Sequence, residues 1–389
     1  MQTAPSLPRT WASWRDEFPI FQRKTYYNTC SLGALSRRTA HAVNTFLELW
    51  DTVGAAAWSG PWLAEIERLR ATFAGLIGAD TDEIAVFPSI TSALGAVSSA
   101  LDFRARPKVV LSEREFPTTV YQWSVKGREG VHLEMLRSPD ALAVPVDAYR
   151  EAVDDRTGLV VASHVYFTSG VIQDVAALAA IAHGAGAPLL VDAYQSVGQL
   201  PIDVHRAEVD FLVTGGLKWL LGGPGIAYLY VRRALAERLQ PTAVGWFAHR
   251  HQFAFDVHRF EYADGARRFE GGTPSVAAVY AGQAGLSLVT EIGVERLRAR
   301  QVELIRHVVE GARAEGLAPR VPAQSEDLAG IVTIPRRDPP AVVAALAERG
   351  IVVDRRPGVV RLSPYFYNSV EDGERVIHEL VDLQRAGIA

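Results

Sequence analysis

The stretch from Leu189 to Arg233 constrains the fold of this chain more than any other. It contains three apolar runs of strand length, LLVDAY, VDFLVTGG and GIAYLYV, and each run ends in polar or turn residues. Asp192 lies at the end of the first run, and Lys218 follows the second. Because reactive side chains in sheets of parallel strands collect where the strands end, Asp192 and Lys218 are our candidates for catalytic residues.

The neighbours of Lys218 predict an unusual chemistry for its ammonium group. Gly215 and Gly216 precede it and the apolar residues 219–221 follow it, so the charged form is poorly solvated and its pKa should fall. Such a lysine forms Schiff bases with carbonyls, and an upstream aspartate can keep a pyridinium nitrogen protonated. The pair suggests pyridoxal 5'-phosphate. Spacing alone leaves a second interpretation open, in which Lys218 extends its head group to solvent and Asp192 caps a turn.

The sequence around that stretch predicts how the chain is divided. LVVASHVYFTSGVIQDVAALAAIAHGAGAPLLVDAY has the order strand, loop, helix, strand, the alternation that builds a parallel sheet. After residue 275, a helical pattern and then a β-α-β-β-α pattern predict a small α+β domain. We therefore expect an N-terminal arm that packs on the body (1–25), a large domain (26–275), and a linking helix with a small C-terminal domain (276–389).

Two helices and a phosphate-site candidate are predicted ahead of the central stretch. Helical patterns run from Arg38 to Asp51 and from Pro61 to Ile77, and Gly78 is typical of the position after a helix. Farther on, the strand IAVF is followed by a turn and by a helix with Thr91 and Ser92 in its first turn. Backbone N–H groups at a helix start favour phosphate, but hydroxyls there are also common as N-caps. The local pattern fits either role.

Composition and charge exclude several classes of protein. Lys+Arg number 40 and Asp+Glu 44, so no global field would gather nucleic acid or an anionic membrane, and we expect neither as a partner. The N-terminus lacks the apolar core of a signal peptide, and the most apolar segment, from Val175, is interrupted by Gly184 and Pro188. Cys30 is the single cysteine, which excludes an intramolecular disulfide and a zinc site of several thiolates. We expect a cytoplasmic protein.

The segments VDAYQSVGQLPIDV and VDFLVTGGLKWLLGGPGIAYLYV resemble the class V aminotransferase family of fold-type I, pyridoxal-phosphate-dependent enzymes. That family includes cysteine desulfurases, kynureninases and isopenicillin N epimerase-like proteins. The resemblance extends from Tyr26 to the C-terminus. It implies an α/β, aspartate aminotransferase-like fold with a large, mostly parallel sheet of seven-stranded type and a small C-terminal α+β domain. It also implies pyridoxal 5'-phosphate as cofactor and a homodimer with a shared active site.

The resemblance also implies how the phosphate is held. Relatives often carry a serine and then a histidine or tyrosine just ahead of the lysine, whereas this chain has Gly215, Gly216 and Leu217. Thr273, in FEGGTPS, matches a residue that reaches over from the second subunit. Phosphate binding is therefore assigned to four hydroxyl side chains: Thr91, Ser92, Thr214 and Thr273.

Three residues are expected around the cofactor ring besides Asp192. Phe116, in EFPTTVYQW, stands where desulfurases have a histidine, and as an aromatic stack it would contribute about 0.5–1.5 kcal/mol beyond its burial. Phenylalanine cannot move protons, so proton transfers should fall on Lys218. His164 and Gln195 match family positions whose polar groups meet the ring, whereas Phe167 stands where some relatives have asparagine.

Two segments are expected to face the substrate. VVRLSPYFYNSVED resembles the closing segment of the family, which points Arg361 at the substrate carboxylate, and arginine suits a bidentate clamp. TYYNTCSLGALS resembles the segment lining the substrate side, which makes Asn28, with Thr29 and Ser31, a weaker candidate.

Residues 246–268 are rich in histidine, arginine and aromatic side chains. His249 and His251 would share one side of a strand, but no carboxylate or thiolate completes a recognisable set, so we predict no metal site. A solvated, partly structural loop is one interpretation. Another is that Arg250 or Arg259 binds an anionic or bulky part of the substrate.

The resemblance implies that the amine of an amino acid substrate displaces Lys218, which then removes the α-proton. Loss of a β-substituent would make a C–S lyase, and this outcome is favoured because no cysteine follows Cys30. Proton return to the cofactor would make an aminotransferase, and return to Cα an epimerase. Gly215 and Leu217 also suggest a non-catalytic regulatory protein that binds the cofactor.

Overall fold

The computed structural model describes residues 9–322 and 324–388. Its strands, in chain order, are β1 (Thr25–Tyr26), β2 (Ile84–Phe87), β3 (Lys108–Ser112), β4 (His132–Leu136), β5 (Thr157–Ser163), β6 (Leu189–Asp192), β7 (Phe211–Gly215), β8 (Ala227–Val231), β9 (Val332–Pro335), β10 (Ile351–Val352), β11 (Asp354–Arg356) and β12 (Val359–Leu362). Its α-helices are α1 (Trp11–Arg15), α2 (Arg37–Val53), α3 (Pro61–Ile77), α4 (Ile90–Ala100), α5 (Pro117–Ser124), α6 (Val146–Ala152), α7 (Val175–Gly184), α8 (Arg233–Arg238), α9 (Val276–Ile292), α10 (Val294–Ala314), α11 (Pro339–Glu348) and α12 (Val370–Arg385).

The large sheet has seven strands in the order β2-β8-β7-β6-β5-β3-β4. Neighbouring strands from β7 to β4 are parallel, whereas β8 runs antiparallel to both β7 and β2. Every residue of β6 and β7 is buried, which is typical of a parallel sheet covered on both faces. The predicted α/β fold with a mostly parallel sheet is confirmed.

Helices cover both faces of this sheet. Leu69 of α3 and Leu178 of α7 pack on one face, and Leu94 of α4 and Trp123 of α5 pack on the other. Each of these side chains is fully buried, and burial of a leucine contributes about 1.5–3 kcal/mol. The two packed layers hold the carboxyl ends of β5, β6 and β7 in fixed positions.

The two helices predicted early in the chain are confirmed. The pattern predicted from Arg38 to Asp51 corresponds to α2, and the pattern from Pro61 to Ile77 corresponds to α3. α3 ends because Gly78 adopts a φ of 70°, a left-handed conformation that glycine adopts without strain.

The C-terminal part of the chain forms a second, smaller sheet with its own helices, and strand β12 of that sheet carries Arg361. α9 and α10 meet at Gly293, and β11, β12 and β9 form an antiparallel sheet packed by α10, α11 and α12. Thr25 of β1 pairs in parallel with Ile351 of β10, so the N-terminal segment is joined to this region. Of the predicted arm, residues 1–8 lie outside the described residues, and Trp14 and Phe18 are buried against the body.

None of the described helices is both long and apolar enough to span a bilayer.

Candidate active site

Asp192 and Lys218 are brought together at the carboxyl ends of β6 and β7. Asp192 is the last residue of β6 and pairs with Val213 of β7, and Lys218 stands three residues beyond the end of β7. The loop that carries Lys218 is closed on itself, because the Gly222 N–H donates to the Gly216 carbonyl at 2.8 Å. Both side chains therefore have defined positions before any ligand binds.

The ammonium of Lys218 lies in an apolar, aromatic setting. Its Nζ is 4.0 Å from the ring centroid of Tyr194 and 5.9 Å from that of Phe116. Burial lowers the pKa of Lys218 to about 8, although the negative charge of Asp192 acts in the opposite direction. The neutral, nucleophilic amine is therefore accessible near neutral pH, as the sequence predicts.

Asp192 is held by two hydrogen bonds. The backbone N–H of Tyr194 donates to Oδ1 at 3.0 Å, and the Thr119 hydroxyl donates to Oδ2 at 3.1 Å. Burial raises the pKa of Asp192, and these donors and Lys218 oppose that rise. A buried carboxylate with a fixed orientation is the partner that a protonated pyridine nitrogen requires.

The glycine that replaces the family serine has a packing reason. A Cβ atom on Gly215 would lie 2.5 Å from the Tyr194 ring. The Tyr194 ring, which lies under Lys218, thus occupies the space that a side chain at position 215 would need. This position cannot contribute a phosphate ligand without moving Tyr194.

The predicted phosphate ligands fall into three environments. Ser92, at the start of α4, lines a cavity of about 440 Å³ together with Thr273 and Gly272. Thr91 is exposed on the first turn of the same helix. Thr214 is buried outside this cavity and donates to the Ala193 carbonyl at 3.3 Å, and the Ser92 hydroxyl likewise donates to the Ser89 carbonyl at 2.8 Å. The structure therefore brings Ser92 and Thr273 together and places Thr214 apart from them.

Phe116 forms one wall of the site. Its ring is 40% exposed and meets the Phe167 ring edge-on, with centroids 5.2 Å apart. An exposed aromatic face at the start of α5 can cover a flat ring. Phe167, at a position where some relatives have asparagine, is the second aromatic part of that wall.

Gln195 and His164, which the resemblance places at the cofactor ring, are both buried. Gln195 donates to the Cys30 carbonyl at 3.0 Å and accepts from the Trp219 indole at 2.9 Å, so it connects the N-terminal segment to the lysine loop. The buried His164 side chain lines a separate cleft with Val175, and neither Lys218 nor Asp192 lines that cleft. Burial lowers the pKa of His164 to about 4.

Arg361 lies fully buried at the opposite end of the site. It donates to the Phe167 carbonyl at 2.6 Å and to the Ser31 hydroxyl at 2.9 Å, and it forms an ion pair with Asp354. Arg356 pairs with the same carboxylate at 2.8 Å. Two guanidinium groups share one protein carboxylate, which leaves one positive charge for a substrate carboxylate.

The charge of Asp354 is fixed by its neighbours. Burial favours the neutral acid, but the Arg361 guanidinium and the Ser31 hydroxyl outweigh burial and hold the pKa of Asp354 at about 2.

Asn28 lies in the same N-terminal segment as Ser31. Its backbone forms an isolated β-bridge with Ser363, the residue that follows β12. Asp354 and Arg356 are not among the residues predicted from the sequence, although both belong to the DRR that precedes the Arg361 strand.

The segment 246–268 has local partners for its charged groups. Arg250 pairs with Asp264 at 2.5 Å, and Arg259 pairs with Glu261. In the described part of the chain, the side chains close enough to share a metal ion are Asp80, Glu83 and His205, and Arg233 already forms ion pairs with Asp80. His249 and His251 are not part of that group.

The cofactor predicted from the sequence fits this arrangement. A nucleophilic lysine, a buried acid for a ring nitrogen, an exposed aromatic face and hydroxyls at a helix start are the groups that pyridoxal 5'-phosphate requires. They are, respectively, Lys218, Asp192, Phe116, and Ser92 with Thr91.

Comparison with known proteins agrees with this site. The family model described as "Aminotransferase class-V" matches residues 54–376. An uncharacterized aminotransferase, YcbU, of Bacillus subtilis (strain 168) is 35% identical, and the match covers 94% of this chain and 96% of YcbU. A kynureninase of Bacillus thuringiensis subsp. konkukian (strain 97-27) is 30% identical, with 92% and 88% covered.

Solved structures show the same fold. The apo cysteine desulfurase of Thermococcus onnurineus NA1 has a TM-score of 0.89 and 23% identity, with 98% of this chain and 99% of that chain covered. The cystine C-S lyase C-DES, in complex with its reaction product cysteine persulfide, has a TM-score of 0.86 and 22% identity, with 94% and 99% covered.

Proposed function

The chain belongs to the class V aminotransferase family and is a pyridoxal-phosphate-dependent enzyme, and from this premise we propose that it cleaves the Cβ–S bond of a cysteine-derived amino acid. When bound, pyridoxal 5'-phosphate holds the substrate amino group and delocalises the electron pair left when a bond at Cα breaks. The single observation that carries the proposal is the wall formed by Phe116 and Phe167, whose rings meet edge-on and have no titratable proton, in contrast to the histidine that desulfurases carry at the position of Phe116.

Each side chain of the site has a separate role in this proposal. With the cofactor bound, Asp192 would keep the ring nitrogen protonated, Phe116 would stack on the ring, and Ser92 with Thr91 would bind the phosphate. Arg361, supported by Asp354, binds the substrate carboxylate. The bond from Thr119 supports the role of Asp192, and the burial of Arg361 beside Ser31 supports that of Arg361.

Lys218 is then the group that removes the Cα proton, because its pKa of about 8 leaves an appreciable neutral fraction at physiological pH. The Cβ–S bond breaks with its electron pair on sulfur, and Lys218 returns the proton to that sulfur. Water then hydrolyses the three-carbon fragment to pyruvate and ammonia. A two-base epimerase would need a second proton donor beside Lys218, and the Phe116 and Phe167 side chains near Lys218 cannot supply one.

The fate of the sulfur supports elimination over desulfuration through an enzyme thiol. Cys30, the single cysteine, is 1% exposed, so a persulfide on it would have little room to leave. The sulfur should therefore depart with its substituent. The fold similarity to C-DES, named a cystine C-S lyase that yields cysteine persulfide, is in keeping with this outcome.

Transamination is the second candidate, favoured by the match to YcbU, which is named an aminotransferase. It needs the same residues, with Lys218 returning the proton to the cofactor instead of to sulfur. A regulatory protein without activity is not retained, since the family is enzymatic.

We also propose a cytoplasmic homodimer with a shared active site. Several large apolar side chains are more than half exposed, and two of them, Phe253 and Phe255, lie side by side with ring centroids 6.4 Å apart, as expected of a surface that a partner covers. Among the exposed side chains are Leu35, Trp50, Phe253, Phe255 and Val257. Sedimentation of the holoenzyme tests this assembly.

The reaction is tested by absorbance and product assays. The wild-type protein and Lys218→Ala are loaded with cofactor and titrated with S-substituted cysteines, with other L-amino acids and with a keto acid. Pyruvate and ammonia from cysteine conjugates alone support the lyase. Amine transfer to the keto acid supports the aminotransferase, and a wild-type protein with no visible cofactor band contradicts both.

A further inference from the structure

Glu115 is a buried acid that the proposed mechanism does not use. It follows β3, is 3% exposed, and accepts hydrogen bonds from the Ser112 hydroxyl at 2.8 Å and the Ser163 hydroxyl at 2.5 Å. No arginine or lysine in the described residues forms an ion pair with it. Arg114, its neighbour in sequence, donates instead to the Ala141 carbonyl.

A buried carboxyl without a cation is normally neutral. Burial raises the pKa of Glu115 to about 7, the two serine hydroxyls lower it, and the charge of Asp192 raises it further. In the neutral acid, one carboxyl oxygen can donate to the serine hydroxyl that it faces.

Two residues, Ser163 and Thr119, lie between Glu115 and Asp192 and connect them. Ser163 and Asp192 are paired residues at the ends of the parallel strands β5 and β6, so their side chains project to the same face. Thr119, one turn after Glu115, donates directly to Asp192. The segment 115–119 thus contacts the acid beneath the cofactor ring from one side.

The other groups around Glu115 are polar but uncharged. The hydroxyls of Tyr149, from α6, and Tyr166, from the loop after β5, lie nearby, and burial followed by the charge of Glu115 raises the pKa of Tyr166 to about 12. Asp192 is therefore the charged group that Glu115 meets, and Lys218 lies beyond Asp192.

We propose that Glu115 is a positioning residue that fixes Ser163 beside Asp192 and, in its neutral form, leaves Asp192 as the single anion available to the cofactor ring nitrogen. The inference depends on the cofactor and not on the choice between elimination and transfer. When Glu115 ionises as the pH rises through 7, a second negative charge stabilises the protonated chromophore that Lys218 forms with the cofactor. The wild-type chromophore should therefore titrate over a wider pH range than a single group would.

The test is a titration of the visible band of the holoenzyme from pH 5 to 9, without substrate. Glu115→Gln keeps the size and the hydrogen bonds but never ionises, so the titration should become a single transition at lower pH. Glu115→Ala leaves two serine hydroxyls unpaired, and cofactor affinity should fall about tenfold, with Glu115→Gln recovering most of that loss.

Glu113→Gln is the matched control, because Glu113 is exposed and lies two residues away. It should titrate as the wild type does. Circular dichroism of each apoprotein separates misfolding from a local effect. A Glu115→Gln titration identical to the wild type would overturn the proposal, as would a Glu115→Gln affinity as low as that of Glu115→Ala. Because no substrate is present, either result is independent of which reaction the enzyme catalyses.

Discussion

The site contains two carboxylate–cation pairs that differ in kind. Lys218 and Asp192 are both shifted by burial towards their neutral forms, and the lysine titrates near pH 8. Arg361 and Asp354 form an ion pair whose acid has a pKa of about 2, and arginine does not deprotonate in proteins. The first pair can exchange a proton during a reaction, whereas the second keeps its charge and is suited to holding a substrate.

The largest expected effect is the loss of activity when Lys218 is replaced by a residue that keeps the positive charge but cannot exchange a proton. Lys218→Arg keeps a cation over the Tyr194 ring, 4.0 Å from Nζ in the wild type, but cannot act as a base or nucleophile. We expect kcat/KM to fall by roughly 10⁴-fold, as far as in Lys218→Ala. The check is steady-state kinetics on cofactor-loaded protein. Activity above about one per cent in Lys218→Arg would show that proton exchange by this residue is not essential.

Much of the first pair could be predicted from the sequence, and less of the second. Asp192 and Lys218 lie at the ends of apolar strands whose parallel order follows from the β-α-β pattern, so their meeting is a local consequence of topology. Asp354 acts on Arg361 across a β-hairpin, in register at Cα. That pairing depends on which residues face each other after folding, and the sequence DRR does not specify it.

His164 and Gln195 illustrate the same limit. Both match the family pattern in order, but the direction of each side chain depends on packing. His164 points towards α7, where Val175 lines its cleft, and Gln195 is used to connect Cys30 with Trp219. A motif gives the position on the strand end, and the tertiary neighbours decide which side chain reaches the cofactor.

The second expected effect tests the binding role of Arg361. Arg361→Lys keeps the charge but loses the fork that reaches both Phe167 and Ser31. We expect KM for the amino acid to rise about 10–100-fold with a smaller fall in kcat, because the lost contact is to a group that does not react. Initial rates over a range of substrate concentrations give both constants. A fall in kcat with KM unchanged would place Arg361 in the chemical step instead.

The third effect is on stability and has a defined pH window. Because the pKa of Asp354 is lowered to about 2, its ionised form stabilises the folded state above the unfolded pKa of about 3.9, and this contribution is lost as the pH falls towards 2. Asp354→Asn should lower the free energy of unfolding by about 2 kcal/mol at pH 7 and less at pH 3. Urea denaturation at both pH values measures this difference, with Asp51→Asn, an exposed acid, as control. A loss equal at both pH values would assign the effect to packing.

The smallest expected effect is that of the Tyr194 ring on the pKa of Lys218. Its ring lies 4.0 Å from the ammonium of Lys218, and a cation–π contact favours the charged lysine by about 0.5–1 kcal/mol, or less than one pKa unit. Tyr194→Leu should therefore lower the pKa of Lys218, which appears as a shift to lower pH of the rising limb of the apoprotein's pH profile for reaction with a small aldehyde. Tyr194→Phe retains the ring and should behave as the wild type does. If the pKa of Lys218 shifts equally in both variants, the phenol hydroxyl sets that pKa and the ring does not. If the pKa shifts in neither variant, burial alone accounts for the nucleophilic lysine. The contrast between Lys218 and Arg361 then depends on solvation and not on the aromatic ring.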